Sequence, residues 1–391
     1  MGDKMNTYYA DLHIHIGRTE SGKPVKITAS KDLTIENILL TASEEKGIDI
    51  IGVIDCHVPE VISHLKTLLT NGNCYEDTAG GIHFKNTTLL LGSELEINDQ
   101  TSLGPIHVLV FFPFLSNMEK FSSWLSHHVT NVTLSSQRVY TTGRELQNVV
   151  KELNGLFIPA HVFTPFKSLY GSGVNYTLKE VFDPNMIDAI ELGLSSNTKM
   201  ADQIAELHPY TFLSNSDAHS LKKIGREYQT IALKNPTFFE FQQALKQQNG
   251  RIILKNYGLD PLLGKYHKTA CRQCQTVWMP NTTSCTKCGS EKTVTGVEDR
   301  IRQLATTSTS INRPPYVHQV PLQFIPGIGP KTLEKLKSHF KTEMAVLHKA
   351  TEEQLLTVLP EKIVRYIMMA RNGELSLKSG GGGLFGKVDT K

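Results

Sequence analysis

The sequence has no run of about 18 consecutive apolar residues, the length that a membrane-spanning helix requires. Its first residues, MGDKMNTYYADL, lack the apolar segment of an export signal. We therefore expect a cytoplasmic protein without a membrane partner. Charged residues make up 20% and hydrophobic residues 39% of the chain, which is typical of a folded protein and not of a disordered one. Its 391 residues are enough for roughly two or three domains.

Charge is distributed unevenly along the chain, although the net value is only +3. Acidic residues outnumber basic ones over residues 1–255, whereas basic residues outnumber acidic ones over residues 256–391. A basic module attached to an acidic domain favours an anionic partner, and nucleic acid is the most common such partner. Solvated helix faces would explain the same excess equally well, so the charge alone leaves both interpretations open.

The sequence has only six cysteines, and four of them form two closely spaced pairs. The pattern C-x2-C-x10-C-x2-C joins Cys271, Cys274, Cys285 and Cys288. Four thiolates make a closed tetrahedral zinc site, and a reducing cytoplasm disfavours disulfides. We therefore predict one structural Zn²⁺ at these cysteines, with a redox-active disulfide pair as the alternative.

Ligand-type side chains recur beside successive apolar runs over about the first 220 residues. His13 and His15 alternate on one predicted strand, so both imidazoles leave the same face. Alternating strands and helices favour a parallel sheet or barrel, whose active site lies at the carboxyl ends of the strands. The pattern predicts a multinuclear metal centre, and such mixed ligands suit Zn²⁺, Mn²⁺ or Fe²⁺ better than Mg²⁺ alone. The candidate ligands are His13, His15, Asp55, His57, Glu94, His107, His161, Asp217 and His219.

These residues lie in motifs that resemble those of the polymerase and histidinol phosphatase (PHP) family. The matching segments, in the family's order, are DLHIH at 11–15, GSE at 92–94, PAH at 159–161 and SDAH at 216–219. The resemblance implies a distorted seven-stranded α/β barrel with two or three divalent metals, Mg²⁺ serving as an alternative in assays. Asp217 and Glu94 would be the catalytic ligands. Where the family has Asp-His, this chain has Asp55-Cys56-His57, which leaves open which of the three binds metal.

The basic back part contains a segment that resembles the helix-hairpin-helix DNA-binding motif. The residues PGIGP at 326–330 directly precede a predicted helix. Glycines permit a close approach of the backbone, and amides at a helix N-terminus bind phosphate. The resemblance implies that DNA backbone contacts come from Gly327, Gly329, Lys331 and Lys335. A Gly-Pro turn between two ordinary helices is the alternative.

We accordingly divide the chain into four parts. Residues 1–255 form the metal-dependent barrel, 256–312 a small four-cysteine domain with a linker, and 313–375 an all-α helix-hairpin-helix domain. Residues 376–391 form a flexible Gly-rich tail. The segment ELSL at 374–377 partly resembles a sliding-clamp-binding peptide but lacks its aromatic end, so a clamp partner is a further expectation.

The order of the three modules, together with TPFKSLYGSG at 164–173, resembles the endonuclease Q family over essentially the whole chain. This resemblance implies a DNA repair endonuclease that cuts on the 5′ side of uracil, hypoxanthine, xanthine and abasic sites. Its products would be a 3′-hydroxyl and a 5′-phosphate. A PHP-family phosphatase acting on small phosphate esters is the alternative.

The resemblance also implies a partner, double-stranded or single-stranded DNA with damaged bases, and we expect a nucleoid-associated monomer. A damaged base must be inspected outside the stack, which requires a pocket with aromatic and amide groups. Candidates in loops after barrel strands are Phe166, Tyr170 and Asn197, although packing or turn formation would explain each of them more simply.

Overall fold

The protein is represented by a computed structural model that describes residues 4–264, 266–309 and 311–375, with the backbone of 377–378 and 387–388. The barrel-side strands are β1 (Asn6–Ile14), β2 (Ile50–Val53), β3 (Tyr75–Glu76), β4 (Ile82–Phe84), β5 (Thr87–Ile97), β6 (Ile106–Phe112), β7 (Arg138–Val139), β8 (Leu156–Pro159), β9 (Ala189–Glu191), β10 (Thr211–Leu213), β11 (Tyr228–Leu233) and β12 (Ile252–Gly258). The later strands are β13 (Ala270–Cys271), β14 (Thr293–Val294), β15 (Tyr316–His318), β16 (Leu377–Lys378) and β17 (Lys387–Val388).

Short helices connect these strands, with several single 3₁₀ or π turns between them. They are α1 (Ile35–Leu40), α2 (Pro59–Thr70), α3 (Leu115–Ser126), α4 (Gly143–Glu152), α5 (Thr198–Ala201), α6 (Phe238–Leu245), α7 (Val297–Leu304), α8 (Pro330–Phe340), α9 (Glu352–Leu356) and α10 (Glu361–Asn372). None of these helices is long and apolar enough to cross a membrane. Most of the predicted Gly-rich tail, and Ser376 of the clamp-like segment, lie outside the described residues.

Eleven of the described strands join one mixed sheet, in the order β15-β12-β11-β1-β2-β5-β4-β3, with β6 and β7 on β5 and β8 on β6. Strands β1, β2 and β5 are parallel, whereas β11 and β6 run antiparallel to their neighbours. Backbone hydrogen bonds continue from Val162 to Glu191 beside β9, and from Ala218 beyond β10 to His13. The α/β class is therefore confirmed, while the exact number of seven barrel strands stays a prediction.

The core forms because the central strands are apolar on both faces. Every residue of β2 (IIGV) and β6 (IHVLVFF) is buried, which is typical of strands covered on both sides. The surrounding helices bury one stripe each. In α2, for example, Val61, Leu65 and Leu68 recur at helical spacing and are buried. The sheet therefore holds the polar side chains at its rim on a rigid support.

The last third of the chain packs on the barrel and does not stand apart from it. Helix α7 lies in the predicted linker, where Arg300 donates to the carbonyl oxygens of Tyr170 (2.8 Å) and Asn175 (2.7 Å). Strand β15 pairs in parallel with β12, so part of the region that we expected to be all-α extends the sheet. The buried pair of Lys46 and Glu343, 2.9 Å apart, joins the barrel to the region after α8.

Candidate metal centre and nucleic-acid interface

The predicted metal ligands converge at one rim of the sheet. His13 lies near the end of β1, and His15 directly follows that strand. Glu94 lies in β5, and Asp217 follows β10. His107 lies near the start of β6. Because β6 runs antiparallel to β5, this position reaches the rim at which β5 ends. Residues far apart in the sequence are thus brought into one group. Three overlapping clusters have ligand atoms within 4.8 Å of one another: His13, His15 and Glu94; His15, Asp217 and His219; and Glu94, His107 and His161.

Glu94 is the central carboxylate of the group. Its Oε1 lies 2.9 Å from His107 Nδ1 and 3.5 Å from both His13 Nε2 and His161 Nε2. Its Oε2 lies 3.6 Å from His15 Nε2. One carboxylate therefore faces four imidazoles, an arrangement that can join neighbouring cations.

Asp217 closes the other side of the group. Its Oδ1 lies 3.5 Å from His13 Nε2, 3.6 Å from His15 Nε2 and 3.5 Å from His219 Nδ1. Its side chain is 32% exposed, whereas that of Glu94 is 1% exposed. Asp217 is therefore placed where the cluster meets solvent and where a substrate would arrive.

In both His13 and His15, the Nδ1 atom contacts a supporting carboxylate and the Nε2 atom faces Glu94. His13 Nδ1–H donates to Glu191 at 3.0 Å, and His15 Nδ1–H donates to Asp55 at 3.1 Å. A carboxylate that accepts from Nδ1 leaves the Nε2 lone pair free to bind metal. Both Nε2 atoms are buried without a hydrogen-bond partner and face Glu94 and Asp217. Because buried polar atoms normally have partners, this donor set fits divalent cations.

The charges of the cluster support the same conclusion. Burial would raise the pKa of Glu94, but His107 and Lys26 outweigh burial and hold the pKa well below its usual value. Burial would also raise the pKa of Asp217, but His13 and His219 outweigh burial and lower it below its usual value. Both carboxylates are therefore ionised at neutral pH. Their negative charge favours a cation between them.

Three groups that we did not place in the ligand set support the ligands. Glu191 accepts from His13 and also from the backbone N–H of His161 at 2.9 Å. Lys26 lies with its ammonium 3.2 Å from Glu94 Oε2, and Ser136 donates to the same carboxylate. The position of Glu191 at the end of β9 was a visible signal in the sequence, whereas nothing local marked Lys26 or Ser136.

Residues 55–57 lie in three different surroundings. Asp55 orients His15 and accepts from the backbone N–H of Ile16 at 2.8 Å. His57 instead bonds Ser93 Oγ through Nδ1 at 2.8 Å, outside the three clusters. Cys56 is fully buried, and burial raises the pKa of its thiol, which disfavours a thiolate ligand. Our assignment of Asp55 and His57 as ligands stays a prediction, although His57 lies outside the three clusters and Asp55 contacts His15 in this structure.

Two of the candidate ligands have strained backbones. His161 and Asp217 have positive φ values of 30° and 45°, a region that non-glycine residues rarely adopt. Gly193 packs against His161 so closely that an added Cβ would lie 2.8 Å from the His161 Cβ. Strain of this kind persists where surrounding contacts enforce it, and it is concentrated at functional sites.

The four cysteines form a separate cluster whose dimensions fit zinc. The Sγ atoms of Cys271 and Cys288 are 3.6 Å apart, and those of Cys274 and Cys285 are 3.5 Å apart. A tetrahedron with Zn–S bonds of about 2.3 Å has edges of roughly 3.8 Å. A disulfide would require sulfurs about 2.05 Å apart. The spacing therefore supports the zinc interpretation over the disulfide alternative.

The two halves of the cysteine cluster repeat the same backbone turn. Gln275 N–H donates to the Cys271 carbonyl, and Gly289 N–H donates to the Cys285 carbonyl, both at 2.9 Å. Gln275 and Gly289 each have a positive φ, 60° and 71°. Contacts with the hydroxyl and the amide of Thr276 lower the pKa of the Cys274 thiol to about 6, which favours the thiolate.

The predicted lesion-pocket residues lie in different surroundings. Tyr170 is fully buried and its hydroxyl donates to Glu206 at 2.8 Å, so it offers no surface to a base. Asn197 accepts from Met200 N–H at the start of α5 and thereby caps that helix. Phe166 is 45% exposed and meets Tyr266 edge-to-face, with ring centroids 5.7 Å apart. Among the three, only Phe166 offers an accessible aromatic face.

The predicted hairpin segment does place a turn before a helix. Gly327 has a φ of 90°, Gly329 precedes α8, and Pro330 is its first residue. Lys331 is exposed on the first turn. Lys335 donates its ammonium to the Val358 carbonyl at 2.6 Å, so it ties α8 to the turn between α9 and α10. A single 3₁₀ turn, Leu322–Phe324, precedes this hairpin and α8 follows it, so the helix-hairpin-helix motif and its contact with DNA stay predictions.

The chain resembles known proteins in both sequence and structure. A family model described as PHP-associated matches residues 196–249. The uncharacterized protein YqxK of Bacillus subtilis is 57% identical over 98% of this chain and 100% of its own length. The lesion-specific endonuclease PfuEndoQ of Pyrococcus furiosus superimposes with a TM-score of 0.83 and 32% identity, covering 98% of this chain and 95% of that one. A complex of Endonuclease Q with a 27-mer duplex substrate bearing an abasic lesion at the active site has the same TM-score and identity, over 99% and 97%.

Proposed function

The chain belongs to the endonuclease Q family, and we propose that it is a metal-dependent DNA repair endonuclease. The observation that carries this proposal is the pair of buried, unpartnered Nε2 atoms of His13 and His15, which lie within 3.6 Å of the ionised Glu94 and Asp217. A structural role would pair such nitrogens, whereas metal-dependent phosphoester hydrolysis requires them free. The close relationship to lesion-specific nucleases identifies DNA as the most fitting phosphoester.

Bound divalent metals would polarise a phosphate and lower the pKa of a bound water towards neutrality. The residues that would hold them are His13, His15, Glu94, His107, His161, Asp217 and His219. The protein itself positions and neutralises the substrate. Lys167, half exposed and 2.9 Å from Glu96 Oε2, places a positive charge at the rim for a backbone phosphate. Asp217 faces solvent and is ionised, so its carboxylate can accept the proton of the attacking water.

For the finer substrate preference, we propose hydrolysis on the 5′ side of uracil, hypoxanthine, xanthine and abasic sites. A 3′-hydroxyl and a 5′-phosphate would result. A deaminated base pairs weakly and is less costly to extrude than a normal base. Phe166 and Tyr266 form an accessible aromatic edge between the barrel and the four-cysteine region, where an extruded base can stack.

The test uses end-labelled duplexes with one uracil, hypoxanthine or abasic site, and an undamaged duplex. Protein loaded with Mn²⁺ or Zn²⁺ should produce a nick immediately 5′ of each lesion, which a chelator abolishes. The undamaged duplex should stay intact. Release of phosphate from p-nitrophenyl phosphate, with every duplex uncut, would overturn the proposal and favour a phosphatase of small esters.

A further inference from the structure

The rim that carries the metal cluster also exposes apolar side chains. Five large hydrophobic residues in segments that follow β1, β5, β7 and β8 are between 45% and 76% exposed. They are Ile27, Leu103, Tyr140, Phe166 and Tyr176. A single exposed apolar residue is common on protein surfaces and needs no functional explanation. A rigidly held one beside a candidate active site can nevertheless indicate a function. Ile27, at 76%, is the most exposed large hydrophobic residue in the described part of the chain.

Ile27 lies at the tip of a turn that is fixed to the metal-ligand segments on both sides. On one side, Lys26 N–H donates to the carbonyl of Ile16, next to His15, at 2.9 Å. On the other side, Ser30 N–H donates to the carbonyl of His219 at 2.8 Å. The backbone of both candidate ligand segments therefore holds this turn.

The turn itself is closed and is anchored from within the cluster. Ala29 N–H donates to the Lys26 carbonyl at 3.0 Å, and Ser135 N–H donates to the Val25 carbonyl at 3.0 Å. The Lys26 ammonium reaches inward to Glu94, 3.2 Å away, while the next side chain, that of Ile27, points to solvent. Consecutive Cα atoms are about 3.8 Å apart. Ile27 is therefore a rigid apolar tip one residue away from a group that contacts the central carboxylate.

We propose that Ile27 is a wedge that enters the base stack of duplex DNA beside the scissile phosphate. Apolar side chains that insert in this way separate base steps and kink a duplex, at the cost of base stacking. An Ile side chain can fill the space that an extruded base leaves, and the anchored turn prevents it from being pushed aside. This inference rests on the proposed endonuclease function and adds the way in which the damaged base is made accessible.

The test compares two uracil-containing duplexes, one fully paired and one with an unpaired bubble of three nucleotides around the uracil. Ile27→Ala should lower kcat/KM on the paired duplex at least tenfold and on the bubble duplex at most twofold, because the bubble is already unstacked. Ile27→Met should retain most of the activity on both. Tyr75→Ala is the matched control, since Tyr75 is 60% exposed on β3, a strand that β4 separates from the start of β5.

Binding supplies a second readout that does not depend on turnover. In the Asp217→Asn background, 2-aminopurine next to the uracil should brighten when the paired duplex is bound, and this increase should disappear with Ile27→Ala. Equal cleavage of the paired duplex by Ile27→Ala and the unchanged protein, with equal fluorescence, would overturn the wedge alone. If the unchanged protein cuts neither duplex, the endonuclease function is overturned and the wedge with it.

Discussion

The barrel cluster and the four-cysteine cluster are built in opposite ways. The barrel ligands extend from His13 to His219 and meet only because several strands end at one rim. The cysteines lie between Cys271 and Cys288, in two copies of one local turn. A closed set of four thiolates can only hold structure, whereas mixed ligands with a partly exposed Asp217 leave room for a substrate.

The two clusters are therefore sensitive to different substitutions. A local site depends on a short segment and can be lost without disturbing the rest of the protein. A rim site depends on the whole sheet and on supporting groups such as Glu191, Asp55 and Lys26, which hold the ligands in position. Changes in the barrel should therefore affect chemistry, and changes at the cysteines should affect local folding.

The largest expected effect separates the two clusters by activity. Asp217→Asn should lower cleavage of a uracil-containing duplex by about 10³-fold or more, because it neutralises a carboxylate that faces His13 and His15 and is partly exposed to solvent. The number of zinc ions at the cysteines and the affinity for DNA should stay unchanged. Single-turnover cleavage, metal analysis and a binding titration measure the three quantities. Cleavage at the normal rate in homogeneous Asp217→Asn protein would contradict the role of this residue.

The next largest effect distinguishes the two clusters by the number of metal ions that the protein binds. Cys285→Ser should remove one zinc ion per chain, because a structural site of this kind stabilises its fold by roughly 10–16 kcal/mol only when complete. The barrel should retain its own thermal transition. Cys74→Ser is the matched control, since Cys74 is buried outside every ligand cluster. Unchanged zinc content in Cys285→Ser would leave the disulfide alternative in place.

A third effect concerns the pH dependence of the barrel alone. Burial raises the pKa of Glu227 to about 8, and its Oε2 has no hydrogen-bond partner. The unfolded chain releases this proton near the ordinary pKa, whereas the folded chain keeps it to about pH 8. Stability should therefore fall as pH rises between those two values, by at most about 1.4 kcal/mol per pH unit.

Glu227→Gln removes this loss, because a neutral amide cannot ionise. Its melting temperature should match that of the unchanged protein near pH 4 and exceed it by several degrees at pH 9. Calorimetry across that range measures the difference. Parallel melting curves at every pH would show that Glu227 is ionised in the folded protein.

The smallest effect tests the basic back part. Lys331→Ala should weaken DNA binding a few-fold on damaged and undamaged duplexes alike, and reduce the salt slope of log K by about 1. Lys335→Ala should also lower stability, because the Lys335 ammonium holds the Val358 carbonyl. Fluorescence anisotropy at several salt concentrations separates these outcomes. An unchanged salt slope in Lys331→Ala would favour the interpretation of an ordinary Gly-Pro turn.

By itself, the sequence determined those features that depend on residue identity and short spacing. The α/β class and the family are confirmed, and both follow from motifs in which a few neighbouring residues carry the signal. The four-cysteine pattern was readable for the same reason. Metal binding by the barrel residues stays a prediction, although the structure brings seven of them together.

Which polar residues contact one another followed from the tertiary structure alone. It placed His57 on Ser93, buried Tyr170 against Glu206, and brought Lys26 to Glu94. These contacts join residues many positions apart, and their geometry depends on strand register and on packing against distant segments. A local pattern contains no information on that register, because a shift of one residue in a strand turns every side chain to the opposite face.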